Sequence, residues 1–298
     1  MFKELTSIFA PSGNETLIGE FIVKQLSGTF DEIKTDDIGN VICTLGSGGL
    51  CIECGMDDPG VMITDVDGQK ARFAGVGGIN AEYLIDKKII FKDATFGIVR
   101  YDGESSSGTK ISDLYLEGDF DSLKIGDFGT IDTAFCENNT HIFGNGIGNK
   151  VGVYAVIAAV KQARSLNNLT ILFSAQKRIG AKGIQAFFAA NSFERVVTID
   201  GAACSGNIKC GEGPFFVIVD NTGVCRENVK DIFSGNKEVK ISVTDQDMCI
   251  GKISTLGSGT ACGAVAIPVE HKDRSFESVQ KSDIEDSIML IRSLIEKM

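Results

Sequence analysis

Apolar positions recur along this chain with two different periods. Leu17, Ile18, Phe21, Ile22 and Leu26 fall on one helical face, and Ser12-Gly-Asn-Glu15 before them has the form of a capping box. Together they predict a helix over about 14–26. Val151, Val153, Val156, Ile157 and Val160 predict a nearly all-apolar helix over 151–163. Further helices are expected at 181–191, 224–232 and 284–296, the last opened by a second box, Ser282-Asp-Ile-Glu285. Short β-branched runs predict strands at 30–35, 41–45, 50–54, 169–175, 196–200, 215–219, 239–243 and 264–269. Asp37-Ile-Gly-Asn reads as the turn between the first two strands, and 46–49 as a hairpin into 50–54.

Between about 65 and 142 the texture changes. Short strands at 71–73, 88–91, 97–101, 113–117 and 128–133 alternate with glycine-rich, acidic turns, without a long helical pattern. The expected class is therefore α/β. A mixed sheet flanked by helices is built from 1–64 and 143–298, and 65–142 forms an inserted, small, all-β, barrel-like domain.

The run 169–175 reads as a buried central strand ending at Gln176, Lys177 and Arg178, with Gly180 and Gly183 opening the next helix. In open α/β sheets ligands bind outside the carboxyl ends of the strands. Two cations thus stand where chemistry is expected, and Asp200 and His271, each at or just beyond a strand end, are expected on the same edge.

Composition removes several function classes. The 298 residues carry a net charge of -11 with no basic stripe, which argues against nucleic acid. No apolar run approaches the roughly 20 residues of a membrane-spanning helix, and the first residues lack the pattern of a signal peptide. A cytoplasmic protein is expected. Nine scattered cysteines do not suggest a disulfide framework, and most are expected to be small buried residues. Cys51-Ile-Glu-Cys54 has the form of half a zinc ribbon, but on a strand its two thiols point to opposite faces. Cys204 and Cys210 have the wrong spacing to complete it. The glycines of 144–152 lack the Lys-Ser ending of a phosphate loop.

The order of short motifs resembles the M42 family of dinuclear-metal aminopeptidases, the tetrahedral or glutamyl group once labelled cellulases. The motifs are Leu5-Thr-Ser-Ile-Phe-Ala-Pro-Ser-Gly-Asn-Glu15, Asp37-Ile-Gly-Asn-Val41, Gly75-Val-Gly-Gly78, Gly126-Asp127, Gly211-Glu-Gly-Pro214 and Ile267-Pro268. The resemblance implies a phosphorylase/peptidase-like mixed-sheet α/β domain that carries two metal ions, and oligomerisation through the inserted domain. It implies a ligand His in His-Met-Asp-Glu, a bridging Asp in Asp-Asp-Arg and a Glu-Glu pair supplying general base and ligand. A later Asp and a His after Ile-Pro complete the set.

On this chain Gly55 stands at the first His position, with Asp57 at the supporting carboxylate. Gly148 stands at the bridging Asp, Lys177 at the general base and Arg178 at the paired ligand. Asp200 and His271 remain, and Cys249 stands where the family has another cleft Asp.

A catalytic zinc typically keeps three protein ligands and an open position, and a two-metal site needs its bridge. An ammonium with a pKa near 10.4 is no general base at neutral pH. The leading expectation is a pseudo-peptidase without metal-dependent hydrolysis and with no cofactor. It would bind peptides, or assemble as a homo-oligomer or with an active relative through 65–142. A second reading is a hydrolase with one divalent ion, zinc or cobalt, on Asp200, His271 and Asp57 or Asp58. A third is a purely structural partner subunit. Under the leading reading Lys177 and Arg178 fill the former metal volume and pair with Asp200 and Asp57, within about 6 Å.

Overall fold

The computed structural model describes residues 1–47, 49–103, 108–132, 135–233, 239–274 and 276–297. After helices α1 (Phe2–Thr6) and α2 (Thr16–Leu26) come strands β1 (Glu32–Thr35), β2 (Val41–Leu45) and β3 (Leu50–Gly55). Six strands follow: β4 (Gly60–Asp67), β5 (Lys70–Val76), β6 (Lys88–Phe91), β7 (Phe96–Tyr101), β8 (Leu114–Glu117) and β9 (Phe128–Ile131). Then come β10 (Cys136–Glu137), β11 (His141–Gly144), α3 (Ile147–Gln162), β12 (Leu169–Ser174), α4 (Lys182–Ala190) and β13 (Arg195–Ala203). The chain ends with β14 (Phe215–Val219), α5 (Glu227–Phe233), β15 (Lys240–Val243), α6 (Ile250–Ser254), β16 (Ala261–Val269), β17 (Glu277–Gln280) and α7 (Lys281–Glu296).

Eight strands form one mixed sheet in the order β1-β2-β12-β3-β13-β16-β14-β15. Its four middle strands, β12, β3, β13 and β16, are mutually parallel, so their carboxyl ends share one edge. All six residues of β12 are buried, as a strand covered on both faces requires. Ile171 and Phe173 enter the core under α2, α3 and α7, while Leu172 joins Ile184, Phe187, Phe188 and Ile253 on the opposite face. Cys51 and Cys54 likewise fall in different cores, as strand alternation predicts.

Strands β4 to β9 close a six-stranded barrel in the order β4-β5-β8-β7-β6-β9, around a core of its own that includes Val61, Ile63, Phe73, Ile89, Val99 and Leu116. The barrel strands run from Gly60 to Ile131. Beyond it, β11 pairs with β10 on one side and β17 on the other in a three-stranded sheet. The strand expected at 128–133 ends at Ile131, and Thr133 lies outside the described residues.

Three local expectations are corrected. Strands β2 and β3 do not form a hairpin, because β12 inserts between them, antiparallel to β2 and parallel to β3. Neither capping box forms. The Ser12 hydroxyl donates to Asp57, and Glu15 accepts from the N–H groups of Gly13 and Gln176. At α7, Asp283 instead accepts from the N–H groups of Gly211 and Gly213, fixing the Gly211–Pro214 turn. Ser12 is drawn off by Asp57, whereas α7 starts at Lys281 and so leaves Ser282 inside the helix rather than at its cap. Finally, Cys204 and Cys210 are joined by a disulfide, while the other seven cysteines are free. No helix among the described residues is long and apolar enough to cross a membrane.

Candidate functional site

The carboxyl edge of the parallel strands gathers the charged residues. After β12 the backbone turns sharply at Gln176 (φ 51°) and brings the next two N–H groups onto Asp57. Asp57 Oδ1 accepts from Lys177 N at 3.0 Å, and Oδ2 accepts from Arg178 N at 3.0 Å and Ser12 Oγ at 2.6 Å. Asp57 is fully buried. Burial pushes its carboxyl up, against the hydrogen bonds from Ser12 and the Arg178 N–H and against the Arg178 charge. Asp57 thus supports the two cations through their backbone.

The Lys177 side chain turns inward. Its Nζ lies 3.1 Å from Glu53 Oε2 and 3.1 Å from Asp200 Oδ2, and donates to Thr198 Oγ1 at 3.3 Å. Glu53, itself fully buried, also accepts from Thr198 Oγ1 and Ser174 Oγ, each at 2.6 Å. Burial works against the Lys177 ammonium, but Asp200 and Glu53 more than reverse it and hold its pKa well above the usual lysine value. The group is a fixed cation, unsuited to accept a proton from water.

Glu53 has no place among the sequence-derived candidates. Its signal was a lone carboxylate inside a wholly buried strand, in the segment whose cysteines had suggested a zinc ribbon. A buried carboxylate needs a partner, and that partner comes from 124 residues later.

Lys177 reaches this position because residue 55 is glycine. A Cβ on Gly55 would collide with Lys177 Cδ and lie 3.1 Å from its Cβ. A Cβ on Gly148 would lie 3.2 Å from both Cγ and Cε of Lys272. The spaces of two expected ligand side chains are therefore bounded by lysine stems.

Arg178 is placed differently from the expectation. Only its N–H bonds Asp57, while its guanidinium pairs with Asp273 (Nη2 to Oδ1, 2.6 Å), donates to Gly77 O at 2.7 Å and to Asn149 Oδ1 at 3.2 Å. It thereby ties the barrel loop at Gly77 to the α/β part. Arg178, with neighbouring Lys272, holds the Asp273 carboxyl below its ordinary range in spite of burial. Nearby, Lys150 pairs with Asp58 at 2.5 Å and donates to Ile8 O at 2.9 Å. Burial nonetheless raises the Asp58 pKa to about 6.

Lys177, Arg178, Asp200, Lys272 and Asp273 line a cleft of about 360 Å³ together with the barrel glycines Gly77 and Gly78. Cys249 lies buried in its wall with φ 64°, its thiol pushed up by burial. Asp200 sits within β13 rather than at its end, since pairing with β16 continues to Ala203. His271, expected beside Asp200, lies exposed in the turn after β16 and outside the cleft lining, where its neighbours Lys272 and Asp273 stand instead.

A mixed sheet with a polar cleft at its carboxyl edge, capped by an inserted barrel, defines an aminopeptidase-like fold. The family model for M42 glutamyl aminopeptidase matches residues 39–290, and the chain belongs to that family. The lysyl aminopeptidase of Pyrococcus furiosus is 24% identical over 336 residues, spanning 100% of this chain and 96% of that protein. Among solved structures, aminopeptidase APDkam598 from the archaeon Desulfurococcus kamchatkensis superposes with a TM-score of 0.91 at 20% identity, covering 100% of this chain and 94% of that one. The TET1 peptidase of Pyrococcus horikoshii, which assembles into a tetrahedron or a large octahedral shell, gives 0.89 at 24% identity and covers 99% and 98%.

M42 aminopeptidases are typically dependent on divalent metal. The residues gathered at this cleft edge do not present a donor set for a metal pair. Gly55 and Gly148 carry no donor atom, Lys177 and Arg178 are cations, and Asp200 and Glu53 face the Lys177 ammonium. Among the described residues no group of three or more His, Cys, Asp or Glu is arranged to hold a metal ion.

Proposed function

We propose that this chain is a pseudo-peptidase of the M42 family, which keeps the fold and cleft but not two-metal peptide hydrolysis. One observation carries the reading: the Lys177 ammonium pairs with Asp200 and Glu53, where the family requires a carboxylate base beside metal ions. A buried pair of this kind is strongly destabilised by removing either member, so the cation is built into the fold. A divalent ion entering at Asp200 would meet a positive charge in contact with its ligand.

The retained roles under this reading are peptide binding in the cleft and subunit assembly. The TET1 relative assembles into closed shells. The barrel of this chain exposes Phe96 and Ile125, which supports assembly with further copies or with an active relative.

Elemental analysis of the purified protein, with an assay on aminoacyl chromogens in the presence of zinc, cobalt or manganese, tests the loss of hydrolysis. Substoichiometric metal and no turnover are expected, and a stoichiometric ion with turnover would overturn the reading. Sedimentation alone and after mixing with an active M42 enzyme tests assembly, for which a species larger than the single chain is expected.

A further inference from the structure

Cys204 and Cys210 flank a short segment beyond β13, the strand that carries Asp200, with their Cα atoms 5.8 Å apart. Both are half-buried, unlike the six buried free cysteines, and the remaining free thiol, Cys136, is exposed. Six positions separate the bridged pair. A loop this short constrains the unfolded chain less than a long one would, so the bridge acts more as a local tie than as a staple for the whole fold.

What it holds is local. Between the two cysteines, Ile208 is buried in a small core with Met248, Ile250, Phe215 and Val217. Met248 and Ile250 flank Cys249 in the cleft wall. The same wall is bound to the base of the segment by Gln246, which accepts from Ala203 N at 2.6 Å and donates to Ala203 O at 3.0 Å and Ser205 Oγ at 3.3 Å. Closing the bridge keeps Ile208 seated beneath 246–250, and opening it frees the segment on one side.

We propose that Cys204 and Cys210 are a reversible dithiol–disulfide pair whose oxidation clamps Ile208 under the cleft wall 246–250. In the closing direction a thiolate of the pair attacks a small-molecule disulfide such as oxidised glutathione. One glutathione thiol leaves, and the second cysteine displaces the other from the mixed disulfide. Two protein thiols are oxidised and one glutathione disulfide is reduced to two thiols, with no other reactant. Half-buried cysteines of this kind are more open to exchange than the fully buried thiols.

The full-length protein is equilibrated with oxidised or reduced glutathione, its free thiols are alkylated, and peptides are mapped by mass spectrometry. Amide hydrogen exchange is followed in both states. Oxidised protein is expected to carry the 204–210 bridge. Reduction is expected to speed exchange about tenfold at 205–209 and at 246–250, as local opening predicts. Ile208→Ala is expected to speed exchange at 246–250 with the bridge intact, and Cys204→Ser with Cys210→Ser is expected to match the reduced protein whatever the glutathione state. Full alkylation of both cysteines in oxidised glutathione, or pairing through Cys136, overturns the pair. Equal exchange at 246–250 in the two states overturns the clamp.

Discussion

Gly55 and Lys177 share one side-chain volume. Ser174 pairs with Gly55 across β12 and β3, and Lys177, three residues on, folds back over position 55. There its Cβ and Cγ stand 3.1 and 3.3 Å from the point where a residue-55 Cβ would be. A larger side chain at 55 and a lysine at 177 are therefore mutually exclusive in this backbone, so the two positions form one steric unit. Gly55→Ala is expected to cost about 1–3 kcal/mol through overpacking. In Gly55→Ala with Lys177→Ala the loss is expected to fall short of the sum by about 1 kcal/mol or more. Urea unfolding of the four proteins measures this, and simple additivity would show that the stem does not occupy the space.

The charge of Lys177 is separable from its bulk. Lys177→Met keeps much of the stem but leaves Glu53 and Asp200 facing each other without a cation. Breaking a buried pair this way typically costs about 3–5 kcal/mol. Adding Glu53→Gln to Lys177→Met should recover part of the loss, because it removes one of the two facing negative charges. Urea unfolding of the wild type and the two variants tests this, and no recovery would show that the cluster is not electrostatic in origin.

The sequence exposes the parts of this fold that depend on local pattern. The six-residue burial of β12, the body of helix α3 and the short barrel strands β5 to β9 are legible as local pattern, whereas the first turn of α3 at Ile147 is not. The pairing of Lys177 with Asp200 follows from both lying on the carboxyl edge. What escaped reading is non-local competition. The turn at 46–49 has hairpin chemistry, yet β12 separates its strands. Ser12 and Glu15 have the spacing of a cap, yet Asp57 and Gln176 are better partners. The sequence puts Arg178 on Asp57, but its guanidinium reaches the turn at Asp273, whose position depends on where β16 ends. No spacing within a segment encodes such choices.

Asp57 holds the turn that places both cations, although it touches neither charged head group. Its two oxygens receive three donors. Asp57→Asn presents one oxygen and one amide, so at least one buried N–H or O–H is left facing a donor. An unsatisfied buried group costs about 1–3 kcal/mol. Asp57→Asn should therefore lower stability by at least that much, and Ser12→Ala, which removes one neutral donor, by about 1 kcal/mol. Chemical denaturation ranks the two. A larger loss for Ser12→Ala than for Asp57→Asn would contradict the supporting role assigned to the carboxylate.

Glu277 gives the chain a pH dependence within the neutral range. It is buried, and its two oxygens accept from Gly148 N at 2.8 Å and Asp273 N at 2.7 Å. Burial raises its pKa from 4.5 to about 7, with those two N–H groups and Lys272 opposing and the Asp273 charge adding. Below the ordinary value the carboxyl is protonated in both folded and unfolded chains. Between about 4.5 and about 7 the folded chain keeps a proton that the unfolded chain has lost. Stability from this group is therefore full in acid, falls as pH rises through that window, and levels off above it. The total change is on the order of 3 kcal/mol. Glu277→Gln cannot ionise, so its stability relative to the wild type should improve as pH rises and stop improving above neutrality. Asp58, raised to about 6, acts in the same direction in both proteins and cancels in the comparison. Urea unfolding at several pH values from 4.5 to 8 gives the difference directly, and a constant difference would show that Glu277 is ionised in the folded chain throughout.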